Sequence, residues 1–247
     1  MRVALISDIH GNLTAFQAVL ADIERAGADQ IIFLGDAAAL GPQPKAVVDF
    51  LQTLDCLCIL GNHEAYELNW AQYLQGVPAG WMKEAIAWGT AQLSPANLDF
   101  LRSFQPTLTV WLDQNNPQVT LLCCHGSPQS YDDMILATTP ALVLDKFITG
   151  QGASILACGH THVQMLRRHR ALLIINPGSV GSPMEEMPFI DAPTLLPWAE
   201  YAIVDYTCER LSVELRQVPY DLALAKEIAL TSGMPEPARW VQQWKVG

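Results

Sequence analysis

The chain has 247 residues, 50% of them hydrophobic and only 16% charged, enough for a large buried core and unlike a disordered tail or a charge-rich scaffold. A formal net charge of −11 repels a phosphate backbone, which argues against an extended nucleic-acid surface. No stretch approaches the roughly 18 apolar residues of a membrane span and the run after Met1 is too short for a signal peptide, so a cytoplasmic location and no membrane partner are expected.

Residues 2–6 read as a short buried strand ending at Ser7-Asp8. Phe16, Val19, Leu20 and Ile23 then follow the i, i+3, i+4, i+7 spacing of an amphipathic helix. Thr14 with Gln17 suits a capping box at its start, and Gly27 suits the residue just past its end. Ile31–Leu34 predicts a second strand that runs into Gly35-Asp36. A helix over about 44–53, with Pro44 near its start, leads to a third strand over Cys56–Leu60. In such a β-α-β-α-β series, sites form at the carboxyl ends of the strands.

Residues 64–104 are helical in pattern and carry Tyr66, Trp70, Tyr73, Trp81 and Trp88, which suit either a helical layer over a sheet or the aromatic walls of a pocket. Strands are expected at 107–111 and 119–123, a helix at 139–149, and strands at 155–158 and 171–175. The proline-rich segment 182–199 reads as an irregular loop. Strands at 201–206 and 211–218 and one or two helices complete the chain. Without repeats or linkers, one domain over residues 1–247 is expected. The six cysteines form no C-x-x-C pair and mostly occupy apolar runs, which suits free thiols. Asn12-Leu-Thr14 matches a glycosylation pattern by accident of sequence.

Five of the six histidines lie in short motifs at the ends of apolar runs. In order these are Asp8-Ile-His10-Gly-Asn12, Gly35-Asp36, Gly61-Asn62-His63-Glu64, His125-Gly126 and Gly159-His160-Thr161-His162. Imidazole and carboxylate are the common ligands of divalent ions, so the pattern reads as one metal site built from several loops. An extended backbone would put Asp8 and His10, two residues apart, on one side, and His160 with His162 likewise. His169, in Arg167-Arg-His-Arg170, lies outside every motif and reads as a solvated basic turn. Glu64 suits the start of the following helix.

This ordered set resembles the calcineurin-like metallophosphoesterase superfamily across residues 8–181. The resemblance implies an α/β fold, a four-layer α/β/β/α sandwich with a helical insertion at about 64–104. It implies two divalent transition-metal ions, manganese first, with iron, zinc, cobalt or nickel compatible with the same ligands. Carried over residue by residue, Asp8, His10 and His162 hold one ion and Asn62, His125 and His160 the other, with Asp36 bridging. Two such ions repel, so a shared anionic ligand is needed between them. A water bridging them becomes hydroxide near neutral pH and attacks phosphorus. His63, adjacent to a ligand but not one itself, is then the catalytic general acid. Asn12 is either a phosphate-facing substrate contact or a helix N-cap. Asn176-Pro-Gly-Ser-Val-Gly181 resembles a family block that shapes backbone near the site.

Competing motifs fail. Glu67 stands where H-E-x-x-H needs its second histidine, and Pro177 stands where G-x-S-x-G needs glycine before Ser179. A Cys124 thiol nucleophile is disfavoured because Cys124 and His125 point to opposite faces of a strand. Phosphoprotein phosphatases of the family place an Asp-Arg pair shortly after Gly-Asp; here that stretch is Ala37-Ala-Ala-Leu-Gly-Pro42. Without an Arg fork for a monoester dianion, a small or nucleotide-type diester is the expected substrate. A monoester, a phosphoprotein, a dinucleoside polyphosphate or a non-catalytic scaffold role are the alternatives. The oligomeric state is open.

Overall fold

The computed structural model describes residues 1–69, 80–114, 116–187 and 193–244. Its elements in chain order are β1 (Arg2–Ile6), α1 (Leu13–Ala26), β2 (Gln30–Phe33), α2 (Pro44–Leu51), β3 (Cys56–Cys58), α3 (Asn62–Leu68), α4 (Trp81–Gln92), α5 (Pro95–Arg102) and β4 (Thr107–Trp111). These are followed by β5 (Thr120–Cys124), α6 (Ala141–Phe147), β6 (Ile155–Ala157), β7 (Met165–His169), β8 (Leu172–Asn176), β9 (Ala199–Thr207), β10 (Arg210–Val218), α7 (Leu222–Thr231) and α8 (Pro237–Gln242).

Side-chain alternation sorts the strands between cores. On β1, Ala4 and Ile6 join a cluster with Phe16, Val19, Val47, Leu51 and Leu101 from α1, α2 and α5. Val3 and Leu5, on the other face, join Ile32, Leu121, Cys123, Ile155 and Ile175, which belong to both sheets. Leu122, Leu156 and Ile174 point outward from the second sheet onto Leu144 of α6. The layers are therefore helix, sheet, sheet, helix, the four-layer sandwich expected from the motifs.

The sheets run β10-β9-β1-β2-β3 and β4-β5-β6-β8-β7. Within them β1, β2 and β3 are parallel, and so are β5, β6 and β8. Parallel strands buried on both faces read as continuous apolar runs, which is why β1, β5, β6 and β8 were visible in the sequence, although β3 is only partly buried, with Leu57 37% exposed. Their carboxyl ends deliver the motif residues.

Several details differ from the sequence reading. Helix α1 is capped by Asn12, whose Oδ1 accepts from Ala15 N at 3.1 Å, and not by a Thr14 box. Strand β3 stops at Cys58, and Ile59 makes an isolated bridge to Gln105. Strand β7 replaces the expected basic turn. Of the aromatics at 64–104, Trp81 and Trp88 pack on a cluster formed with the C-terminal helices, whereas Trp70 and Tyr73 lie outside the described residues. Cys123, Cys124 and Cys158 are buried free thiols, but Cys208 is exposed. No helix among the described residues is long and apolar enough to cross a membrane.

Candidate metal centre

Asp8 and His10 follow β1, Asp36 follows β2, Asn62 and His63 open α3 just after β3, His125 follows β5, and His160 and His162 follow β6. Asp8, His10, Asp36, His160 and His162 all have positive φ, between 46° and 67°. They make up half of the ten non-glycine residues in that region among those described, at about 1–3 kcal/mol of strain each. The backbone at these residues is therefore not extended. Each of these side chains is aimed by its own left-handed turn, and His160 and His162 go to different partners.

Donor atoms of Asp8, His10 and His162 lie within 4.8 Å of one another, and so do those of Asp36, His125 and His160. Asn62 belongs with the second group: its Oδ1 lies 2.9 Å from His125 Nε2 and 3.0 Å from His160 Nδ1. His10, Asp36 and His63 form a third overlapping set. Asp36 Oδ2 lies 3.4 Å from His125 Nε2 and 3.8 Å from His10 Nε2, one member of each group. Its Oδ1 is taken by the backbone N–H of His63 at 3.0 Å. The link between the groups is thus one oxygen, not the two that a carboxylate offers.

The donor set suits cations. His10, His125 and His162 each bind a backbone carbonyl through Nδ1, of Ala39, Leu34 and Ser182 respectively, which fixes the proton there and turns Nε2 inward. Asp8 Oδ1 is buried with no hydrogen-bond partner, 3.2 Å from His162 Nε2. Mixed imidazole, carboxylate and amide donors favour transition-metal ions over calcium or a thiolate site.

Burial alone would raise the Asp8 and Asp36 carboxyls, but the histidines around them, His162 and His10 for Asp8 and His125 and His63 for Asp36, hold both well below the usual range. Burial likewise opposes charge on His125, yet Asp36 beside it pushes its pKa up to about 10. His63 goes the other way, down to about 4, through burial only partly offset by Asp36.

Glu64 does more than open a helix. Its carboxylate accepts backbone N–H groups from Asp36 at 2.8 Å, Ala37 at 2.6 Å and Gly61 at 2.9 Å, tying the loop after β2 to the start of α3. That contact leaves no room for a side chain at Gly61, whose added Cβ would collide with Asp36 Oδ1. Asp8 is steadied by Ser7 Oγ–H and by His160 N–H on Oδ2. The 176–181 block shapes backbone: Ser179 Oγ and Gly181 N both donate to Asp8 O, at 2.7 and 3.0 Å. In the sequence, the 176–181 block shows itself by its resemblance to the family, and the Glu64 network only by a glutamate three residues after Gly61.

Asn12 is 1% exposed, and its amide donates to Gly181 O at 3.2 Å besides capping α1. The Tyr66 ring meets His63 edge-on at 5.6 Å. His169 is not in a solvated turn: it is 7% exposed and bonds Asp145 Oδ1 at 2.8 Å through Nε2. Cys124 is buried, which raises its thiol well above the ordinary range and leaves it unreactive.

Known proteins resemble this chain in sequence and fold. Residues 1–194 match the calcineurin-like phosphoesterase superfamily domain. An uncharacterized protein of Methanocaldococcus jannaschii is 28% identical over 249 residues, covering 95% of this chain and 94% of that one. A metallophosphoesterase from Sphaerobacter thermophilus superposes with a TM-score of 0.73 at 27% identity, over 97% of each chain. A hypothetical protein from Pyrococcus horikoshii shares the fold, with a TM-score of 0.78 at 19% identity over 97% of this chain and 96% of that one. With the match extending over most of its length, the chain belongs to the calcineurin-like phosphoesterase superfamily.

Proposed function

We propose that the protein is a metal-dependent phosphoester hydrolase that prefers diesters of small or nucleotide-type alcohols. In this reading Asp8, His10 and His162 would hold one divalent ion and Asn62, His125 and His160 a second, with Asp36 shared between them. Manganese is the first choice. When bound, two such ions supply Lewis-acid charge to a phosphoryl group and a nucleophile at neutral pH. The observation that carries the reading is the convergence of two ligand groups on Asp36 Oδ2, with His63 Nε2 facing the same oxygen at 3.8 Å. Membership of the superfamily supports it.

His63 sits where it can donate to an oxygen of the substrate. Its ring is neutral while burial holds its pKa near 4, and a bound phosphoryl anion raises it. The lean to diesters rests on charge. Ala37, Ala38 and Ala39 are fully buried and offer no clamp, and the groups that hold Asp8 and Asp36 down are all histidines. A monoester dianion asks for an arginine fork, and a diester monoanion does not.

The test is turnover of bis(p-nitrophenyl) phosphate and p-nitrophenyl phosphate by chelated protein resupplied with Mn²⁺. Diester hydrolysis that exceeds monoester hydrolysis is the expected result, and turnover of a diester with an alkyl leaving group, which needs a proton, falls by about 100-fold or more in His63→Ala. No turnover of either, with two ions bound per chain, overturns the hydrolase reading.

A further inference from the structure

Helix α3 leaves two buried polar groups without partners one turn apart. His63 is 7% exposed and its Nδ1 makes no hydrogen bond; Glu67 is 4% exposed and neither carboxyl oxygen makes one. Native proteins pair nearly all buried side-chain polar atoms, so three unpaired atoms on one short helix need a reason. Residues four apart share a helix face, and a helical side chain leans toward the turn before its own Cα. On that rule Glu67 is placed to lean toward His63. The imidazole presents Nε2 to the ligand cluster, 3.8 Å from Asp36 Oδ2, which turns Nδ1 to the opposite side of the ring.

We propose that Glu67 is the positioning residue for His63: its carboxyl accepts the Nδ1–H of the imidazole through one bridging water and so aims Nε2 at the substrate. This rests on the role given to His63 above. It also answers a gap in the sequence, where the alanines after Asp36 offer no carboxylate to orient that ring. The partner comes instead from the histidine's own helix. A water there has the polar contacts it needs, because Nδ1 and the two carboxyl oxygens have no other use. Burial, with Glu64 and Asp36 adding to it, holds the Glu67 carboxyl well above the ordinary range. A protonated carboxyl still keeps a carbonyl oxygen to accept with.

The test compares Glu67→Leu and Glu67→Gln with the parent. Leucine removes an unpaired buried carboxyl, so its Tm is expected to equal or exceed the parent's. Its kcat falls while KM for the diester stays within about twofold, and the fall is at least about tenfold larger for an alkyl leaving group than for nitrophenolate, which needs no proton. Glutamine keeps an acceptor and retains most of the turnover. Independently of catalysis, ¹⁵N NMR of chelated protein is expected to find the proton of the neutral His63 ring on Nδ1 in the parent and in Glu67→Gln, and shifted toward Nε2 in Glu67→Leu. Should Glu67→Leu fail to fold, Glu67→Ile, equally without an acceptor, takes its place. Unchanged kcat for both leaving groups together with an unchanged tautomer overturns the pairing. A parent without hydrolase activity sinks the functional reading alone, and the tautomer then decides the pairing.

Discussion

The Nε2 atoms of His10 and His162 approach to 3.0 Å, while each ring gives its Nδ1–H to a backbone carbonyl, of Ala39 and Ser182. The two Nε2 atoms are thus turned toward each other, where one cation would take both as donors. Added Mn²⁺ is therefore expected to stabilise chelated protein, by about 4 kcal/mol at a thousandfold excess over its Kd. Elemental analysis should count two ions per chain in the parent and fewer in His162→Ala, with a smaller rise in Tm. Equal counts and equal shifts for the two proteins would remove His162 from the ligand set.

Metal binding should also release protons. Burial alone would lower the His125 pKa, but Asp36 and Asp8 raise it to about 10. The folded value exceeds the ordinary 6.5, so in chelated protein this pairing stabilises the fold fully below pH 6.5 and is lost as pH rises through about 10. At pH 7 an incoming ion must displace that proton, and its affinity should weaken about tenfold for each unit of pH lowered. Titration calorimetry in two buffers of different ionisation enthalpy measures the release. Binding enthalpies independent of the buffer would contradict it.

Removing the Glu64 carboxylate should be costly. Glu64→Ala leaves the N–H groups of Asp36, Ala37 and Gly61 without their acceptor in a buried place. At about 1–3 kcal/mol for each unpaired donor, a loss of at least a few kcal/mol is expected. Glu64→Gln keeps one acceptor oxygen and should lose less. Urea denaturation of the two variants in chelated form separates this structural effect from any loss of metal.

The legible parts of this molecule were those in which local pattern and burial coincide. Strands β1, β2, β5 and β6 are largely buried and run within three residues into aspartate or histidine, and β8 ends at Asn176, so apolar runs marked them and the motifs after them. Strand β7 hid because its residues alternate between buried and open, with Leu166 50% exposed at a sheet edge and two arginines in five positions. His169 looked solvated because its partner, Asp145, lies 24 residues earlier on α6. The residue types that converge were readable, but the left-handed backbone at Asp8, His10, Asp36, His160 and His162 was not. Such conformations are imposed by surrounding contacts, not by the propensity of aspartate or histidine. The partners of Glu64 were hidden for a related reason: they are backbone amides of a loop distant in sequence.

Glu200 gives a second dependence on pH, opposite in sense to that of a depressed carboxylate. It lies in the buried part of β9, is 2% exposed, accepts from Trp198 Nε1 at 3.0 Å through Oε1, and leaves Oε2 without a partner. Burial pushes its pKa up from 4.5 to about 7. The folded value is the higher one, so the folded state holds the proton more tightly. Stability from this group is full below about pH 4.5 and is lost as pH rises through about 7. Glu200→Gln removes the charge that burial disfavours. Relative to the parent, chelated Glu200→Gln should gain stability between pH 5 and pH 8, by on the order of 3 kcal/mol at most. Urea denaturation of both proteins at those two pH values makes the comparison. Parallel behaviour of the two would mean that the Glu200 carboxyl is already satisfied, by water reaching Oε2, and ionises as an ordinary glutamate.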